Sequence, residues 1–163
     1  MSVTVLSPQC NLAYESIKLH EAYFARQETK IHKEIDLLEG YNRLLGEFSK
    51  LNAALNAGKK TAKLDFTHHE LRTTIDGIYE RHPELFYGFE EDLYTNWDKD
   101  RIERFLAGTD PIVRNYSAQV SQGTMKVQVL YNDQTEITRN LQRVIEEQSK
   151  HIQSILAKLK GMG

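Results

Sequence analysis

Apolar residues recur at every seventh position along the first third of the chain, between about residues 11 and 56. Sustained over several heptads, this periodicity is typical of a coiled-coil helix with a broad apolar stripe. Gly58 follows the last periodic residue, and glycine is the residue type that most often ends a helix in the left-handed conformation. The pattern therefore predicts one long helix that ends at Gly58. Its rows are Ile17, Phe24, Ile31, Leu38 and Leu45; Tyr23, Leu37, Leu44 and Leu51; and Tyr41, Phe48 and Leu55.

The last third of the chain shows a second periodic segment of similar length. Asp110 can cap a helix and Pro111 suits its first position, so the segment predicts a helix from there to about Lys160, closed by Gly161. Gly123 interrupts the pattern and predicts a kink or a loosened turn. The rows are Val113, Val120, Val127, Leu141 and Ile155, with Gln134 and Gln148 in the gaps; Leu130, Ile137 and Val144; and Ile145, Ile152 and Leu159.

Two apolar helices of matching length, one at each end of the chain, predict a mainly α fold. Each can bury its stripe against the other as a long antiparallel coiled-coil hairpin formed by residues 11–58 and 110–160. Residues 59–109 then form a small inserted α(+β) subdomain, and residues 1–10 a flexible N-terminus of the export type. The side chains expected to pack in the hairpin are Ile31, Leu38, Leu44, Leu45, Phe48, Leu51, Val127, Leu130, Ile137 and Val144.

The insert is irregular and aromatic. Residues 61–66 alternate weakly between apolar and polar positions and favour a short strand. Residues 67–70, T-H-H-E, match a capping box that precedes a helix, which should end before Pro83. Asp98 or Asp100 can cap a further short helix closed by Gly108. The apolar residues expected in this region are Leu71, Ile75 and Ile78, then Leu85, Phe86, Tyr87, Phe89, Leu93, Tyr94 and Trp97, then Ile102, Phe105 and Leu106.

Composition narrows the class of protein. At 163 residues, with 40% apolar and 27% charged residues, the chain suits one ordinary domain and is neither disordered nor a membrane protein by composition. A net charge of −2 gives no reason to expect nucleic acid. A single cysteine, Cys10, excludes an internal disulfide. The first residues lack the basic and apolar regions of a Sec signal, so we expect no Sec export.

Histidines His68 and His69 beside Glu70 raise the possibility of a metal site. Neighbouring helical residues point about 100° apart and do not converge on one ion, the H-E-x-x-H spacing is absent, and a further ligand would have to come from His82 or a distant carboxylate. A capping box explains Glu70 without a metal. We therefore expect no metal and no cofactor here.

Two other charged stretches suggest ligands only superficially. The acidic residues between 90 and 100 lack the glycine of a calcium loop, and Lys59, Lys60 and Lys63 are more typical of a soluble loop than of an anion site. No phosphate loop, nucleophile elbow or catalytic triad motif occurs in the sequence. The sequence gives no reason to expect an enzyme.

The order of these segments resembles the needle-tip and translocator-filament proteins of bacterial type III secretion systems. Residues 40–51, GYNRLLGEFSKL, look like the end of the tip proteins' first coiled-coil helix. Residues 63–66, KLDF, running into Leu71, resemble the Lys-Leu-Asp-Val that leads into a short helix in those proteins. Residues 120–123, VSQG, with LQRVI and IQSIL further on, resemble their long C-terminal helix, which a similar Ser-Gln-Gly precedes in the filament-forming relatives.

This resemblance implies a non-enzymatic, self-assembling extracellular subunit, either a needle tip or a translocator filament, that links the needle to the translocon. Such a protein leaves the cytoplasm by a non-Sec route, acts at the bacterial cell surface, needs no cofactor and is not stably inserted in a membrane. Its partners would be further copies of itself, the needle subunit and the translocator proteins. Our hypothesis places the self-assembly or needle contact on Leu141, Ile145, Ile152, Ile155, Leu156 and Leu159.

Two alternative functions come from other classes of protein. A cytoplasmic coiled-coil chaperone or adaptor would bind a partner helix with the apolar stripe. A small metal-dependent enzyme would use His68, His69 and His82. Localisation in the culture medium and oligomeric state distinguish these classes.

Overall fold

The computed structural model describes residues 8–61, 69–88, 93–95 and 97–161. They form helix α1 (Pro8–Thr61), helix α2 (His69–Arg81), a short 3-10 helix (Pro83–Phe86) and helix α3 (Lys99–Gly161). No strand occurs among these residues, so the protein is mainly α. The weak strand predicted over residues 61–66 and the capping box at Thr67 fall outside the described part, apart from Thr61 at the end of α1.

The chain divides into two compact units. The terminal unit comprises Met1–Ile35 and Met125–Gly163, and the central unit comprises Asp36–Thr124. The central unit extends beyond the predicted insert on both sides. It contains the C-terminal part of α1, all of α2 and the N-terminal part of α3.

An aromatic and aliphatic core fills the central unit, with side chains from all three helices. Phe86 contacts Tyr79 edge-on at 5.4 Å between ring centroids and Phe105 at 5.1 Å, and Trp97 contacts Phe105 at 5.3 Å. Such tilted and edge-on pairs are the favoured aromatic geometry. The buried members of this core are Phe48, Leu51, Leu55, Ile75, Ile78, Phe86, Trp97, Ile102 and Phe105.

Helix α2 agrees with the sequence prediction. Its buried residues include Ile75 and Ile78, and it ends at Arg81, directly before His82 and Pro83. The residue before a proline is disfavoured in the helical conformation, which accounts for the end. Gly77 lies over Glu47 of α1: a β-carbon there would come within 3.5 Å of the Glu47 carboxylate. Gly77 of α2 therefore faces the end of the Glu47 side chain at an ordinary contact distance.

Three predicted helix boundaries are wrong. Helix α1 does not stop at Gly58 but continues to Thr61, and Gly58 is buried. Helix α3 begins at Lys99, so no separate short helix ends at Gly108 and no new helix begins at Asp110. Pro111 lies inside α3, where a proline costs ~3 kcal/mol.

Packing explains why the helix persists through Pro111. Ile102 and Phe105 before the proline are buried, and Ile112 and Val113 after it pack against the same core. Gly108 allows the close approach of this segment, since a β-carbon there would lie 3.1 Å from the Leu85 side chain. Burial of these side chains on both sides of Pro111 offsets the backbone hydrogen bond that proline cannot donate. Local residue preferences do not include this contribution.

Asp98 caps α3. The sequence predicted either Asp98 or Asp100 as a cap in this region. Its carboxylate accepts a hydrogen bond from the Arg101 backbone N–H at 2.7 Å, and its carbonyl accepts the first helical hydrogen bond, from Ile102 at 3.0 Å. Asp100 lies in the first turn instead, where it complements the helix dipole.

We expect Asp98→Ala to lower the free energy of unfolding by ~0.5–2 kcal/mol, because the Arg101 N–H would lose its acceptor. Urea denaturation followed by circular dichroism measures this change. Asp100→Ala is the matched control, with an expected effect of only ~0.3–1 kcal/mol from the helix dipole. An equal loss in both variants would show that Asp98 contributes only its charge.

In the terminal unit α1 packs against α3. Lys126 of α3 donates to the Glu34 carboxylate of α1 at 2.6 Å. The half-buried positions of α3 alternate at intervals of three and four residues, as expected for a helix that presents one narrow face to a partner. These positions are Val127, Leu130, Gln134, Ile137, Leu141, Val144 and Gln148, and Asp133 beside Gln134 is half-buried as well.

Candidate functional site

The α1 face in the terminal unit carries a polar row that the sequence analysis missed. His20, Gln27 and Glu34 are less exposed than their neighbours and recur every seventh residue beside the predicted apolar row. Tyr23, which was predicted in an apolar row with Leu37, Leu44 and Leu51, is 45% exposed. The sequence does contain a signal for this row, since the three polar residues share one heptad position, but apolar periodicity alone does not reveal it.

Gln27 is the most buried polar residue of this row, with 4% of its surface exposed. Its amide nitrogen donates to the Tyr23 hydroxyl at 2.6 Å, whereas its carbonyl oxygen has no hydrogen-bond partner among the described residues. Of the terminal-unit residues whose side chains the structure describes, only Gln27 and Ile31 are buried. A polar residue at such a position favours one register at a cost in stability.

The predicted self-assembly residues lie mostly on the surface of the terminal unit. Leu141 is half-buried, whereas the other five are 45–63% exposed. Four of these five lie on one face of the last two turns of α3, because successive residues of a helix point 100° apart. Ile145 continues the same face toward the N-terminus. We call the four the tail row: Ile152, Ile155, Leu156 and Leu159.

The residues predicted to pack in the hairpin are all at least half-buried. Four of them are buried, namely Ile31, Leu44, Phe48 and Leu51. Phe48 and Leu51 belong to the central core together with Ile75 of α2, so they pack against more than one helix. The half-buried ones are Leu38, Leu45, Val127, Leu130, Ile137 and Val144.

A groove runs along one side of the α1–α3 contact in the terminal unit. Its floor is apolar, with Phe24 from α1 and Leu141 from α3, and Glu21 and Glu28 line it on the α1 side. We call it the acidic-edged groove. The complete lining is His20, Glu21, Phe24, Ala25, Glu28, Ile137, Thr138 and Leu141.

His82 forms the centre of a hydrogen-bonded chain in the central unit. Its ring nitrogens lie 2.8 Å from a Glu84 carboxylate oxygen and 2.8 Å from the Tyr116 hydroxyl. The His82 hydrogen bond lowers the pKa of Glu84, and burial raises the pKa of Tyr116, which keeps the phenol protonated. Phe48 packs against the His82 ring at 5.8 Å. The chain thus connects the segment after the end of α2 to α3.

The histidines proposed as metal ligands do not come together. His69 contacts Thr73 at the start of α2, whereas His82 follows the end of that helix. Twelve helical residues lie between His69 and His82, and the rise from one to the other is about 20 Å, so these two histidines do not ligate one ion. Within the described part of the chain, no three His, Cys, Asp or Glu side chains are grouped so that they could hold a metal ion. His68 and residues 90–92 lie outside the described part, as does Lys63.

No helix in the described part of the chain is long and apolar enough to cross a membrane. Comparison with known proteins adds no further assignment: no protein-family model, no curated protein and no solved structure matches this chain.

Proposed function

We propose that the protein is a non-enzymatic, self-assembling subunit of a type III secretion apparatus, a needle tip or a translocator filament, exported by a non-Sec route. The observation that carries the proposal is the tail row, which holds four large apolar side chains that are 45–63% exposed within the last two helical turns. Contiguous apolar surface of this kind marks a protein–protein contact. Further copies of the chain, the needle subunit and the translocator proteins are the proposed partners.

The order of contacts supports an antiparallel coiled-coil hairpin in the terminal unit. Glu34 of α1 is paired with Lys126 of α3. Further toward the N-terminus, Phe24 shares the groove with Ile137, and Ile17 shares another with residues 144–153. As the α1 position shifts toward the N-terminus, the contacting α3 position shifts toward the C-terminus. An antiparallel pair of helices requires this order.

The sparse burial in this pair supports assembly with further helices. Two helices bury only Gln27 and Ile31 among the described side chains here, and the polar row weakens the contact further. A third or fourth helix from other subunits would cover more of the apolar face and increase the hydrophobic stabilisation. The central unit has its own core, and we propose that its surface contacts the translocator proteins.

The proposal is tested by oligomeric state together with export. Purified protein should form oligomers or filaments as its concentration rises, measured by light scattering and electron microscopy. In a strain with a functional type III apparatus the protein should reach the culture medium, and deletion of the apparatus ATPase should retain it in the cell. A cytoplasmic marker protein in the same fractions controls for lysis.

A protein that stays monomeric at high concentration and never leaves the cell would overturn the proposal. The coiled-coil chaperone or adaptor would then be the better assignment, because the same apolar face can bind a single partner helix.

A further inference from the structure

The acidic-edged groove has the length and spacing of a helix-binding site. Its α1 side contains Glu21, Phe24, Ala25 and Glu28, which are positions i, i+3, i+4 and i+7 of one helix, together with His20. At 1.5 Å per residue this side is about 10 Å long, two turns of helix. Grooves that accept an amphipathic helix contact residues of this same spacing on the bound helix.

The tail row has the same spacing. Ile152, Ile155, Leu156 and Leu159 occupy positions i, i+3, i+4 and i+7 of α3, and all are at least 45% exposed. The row therefore also spans two turns, about 10 Å. Its length and anchor spacing match those of the groove.

The charges along the two surfaces are complementary. The groove is lined by Glu21 and Glu28, seven residues apart. Residues 148–161, which contain the tail row, include Lys150, Lys158 and Lys160 and no acidic residue. On the helix Lys158 and Lys160 lie on the two flanks of the tail row, whereas Lys150 lies on the opposite face. A helix seated in the groove by its tail row brings a lysine alongside the glutamates.

The tail row of a chain does not reach the groove of the same chain. The groove residue Leu141 and the tail residue Ile155 lie on one continuous helix, 14 residues and so about 21 Å apart. A helix does not fold back over that distance, so the occupant must come from another molecule.

We propose that the acidic-edged groove binds the tail row of a second copy of this chain. The proposal rests on the self-assembly proposed above and assigns its two surfaces. Each copy offers one groove and one tail, because the two surfaces are different parts of the chain. Two copies that exchange tails reciprocally form a two-fold dimer, whereas contacts that run in one direction close into a ring or continue as a helical filament.

Charge reversal with rescue tests the assignment. The groove variant is Glu21→Lys with Glu28→Lys, and the tail variant is Lys158→Glu with Lys160→Glu. All four residues are exposed, so neither variant disturbs packing. We expect each variant alone to need a roughly tenfold higher concentration to assemble, because like charges then face each other. An equimolar mixture should assemble at the wild-type concentration, since each groove then meets a tail of opposite charge.

Matched controls place the charge changes elsewhere on the same unit. Glu15→Lys with Glu136→Lys alters exposed glutamates outside the groove, and Lys150→Glu alters a lysine on the opposite face of the tail. Both should assemble like the wild type.

The outcomes separate this inference from the proposed function. If the wild type assembles and the groove variant assembles equally well, the groove is not the binding surface, although self-assembly stands. If the mixture fails to recover assembly, the tail and groove do not meet. A wild type that remains monomeric by light scattering overturns both proposals.

Discussion

Deletion of the chain from Ile152 onward is expected to abolish oligomers or filaments while the central unit stays folded. The deletion removes the four tail-row side chains, whose burial in an assembly would contribute on the order of 1 kcal/mol each. The concentration needed for assembly should therefore rise on the order of 100-fold or more. Light scattering and electron microscopy measure this effect. The central core lies outside the deleted segment, so circular dichroism and Trp97 fluorescence should show it intact.

Two double variants test whether assembly needs the tail-row side chains themselves or only the full length of α3. Ile152→Asp with Leu156→Asp places charges on the tail row, where they should prevent assembly as the deletion does. Ser154→Asp with Ala157→Asp adds the same charges to the opposite face of the same turns and should leave assembly unchanged. A truncated chain that assembles like the intact one would exclude the tail row as the subunit contact.

Phe86→Ala is expected to destabilise the central unit by ~3–5 kcal/mol, a large part of the stability of a typical domain. Phe86 has no exposed surface and contacts two aromatic rings, Tyr79 and Phe105, so its removal leaves a cavity that the helices cannot close. Urea denaturation followed by fluorescence gives the change. Trp97 is the single tryptophan and packs on Phe105, so its emission reports on this core.

Tyr87→Ala is the matched control, because this neighbouring aromatic residue is 85% exposed. Its substitution should change the free energy of unfolding by no more than ~0.5 kcal/mol. Similar values for the two variants would mean that the aromatic cluster does not hold the central unit together.

The sequence predicted a helix correctly where local residue preferences and tertiary packing favour the same structure. Helix α2 is an example: Ile75 and Ile78 have helical spacing, and Pro83 ends the helix by a steric effect on the preceding residue. The long α1 and α3 followed in the same way from heptad periodicity, because one apolar face must be buried whatever covers it. The proposed assembly row was likewise visible in the sequence.

The ends of the long helices depended on packing and were predicted wrongly. Gly58 and Pro111 are residue types that usually end or begin a helix, with penalties of ~1 and ~3 kcal/mol inside one. In the folded chain both positions lie within helices that pack on the central core. Burial of several large side chains outweighs either penalty, and a local pattern does not show which side chains will be buried.

The sequence by itself determined that this protein is helical, that apolar stripes run along both terminal segments and that large apolar side chains crowd the last two turns of α3. Those properties depend on residue type and spacing alone. The tertiary structure decided which rows face inward, since only the position of α3 against α1 placed the polar residues His20, Gln27 and Glu34 in the contact and left Tyr23 outside. It also created the acidic-edged groove, whose lining comes from segments more than 100 residues apart in the chain. Contacts between such distant residues arise from packing, which no local periodicity encodes.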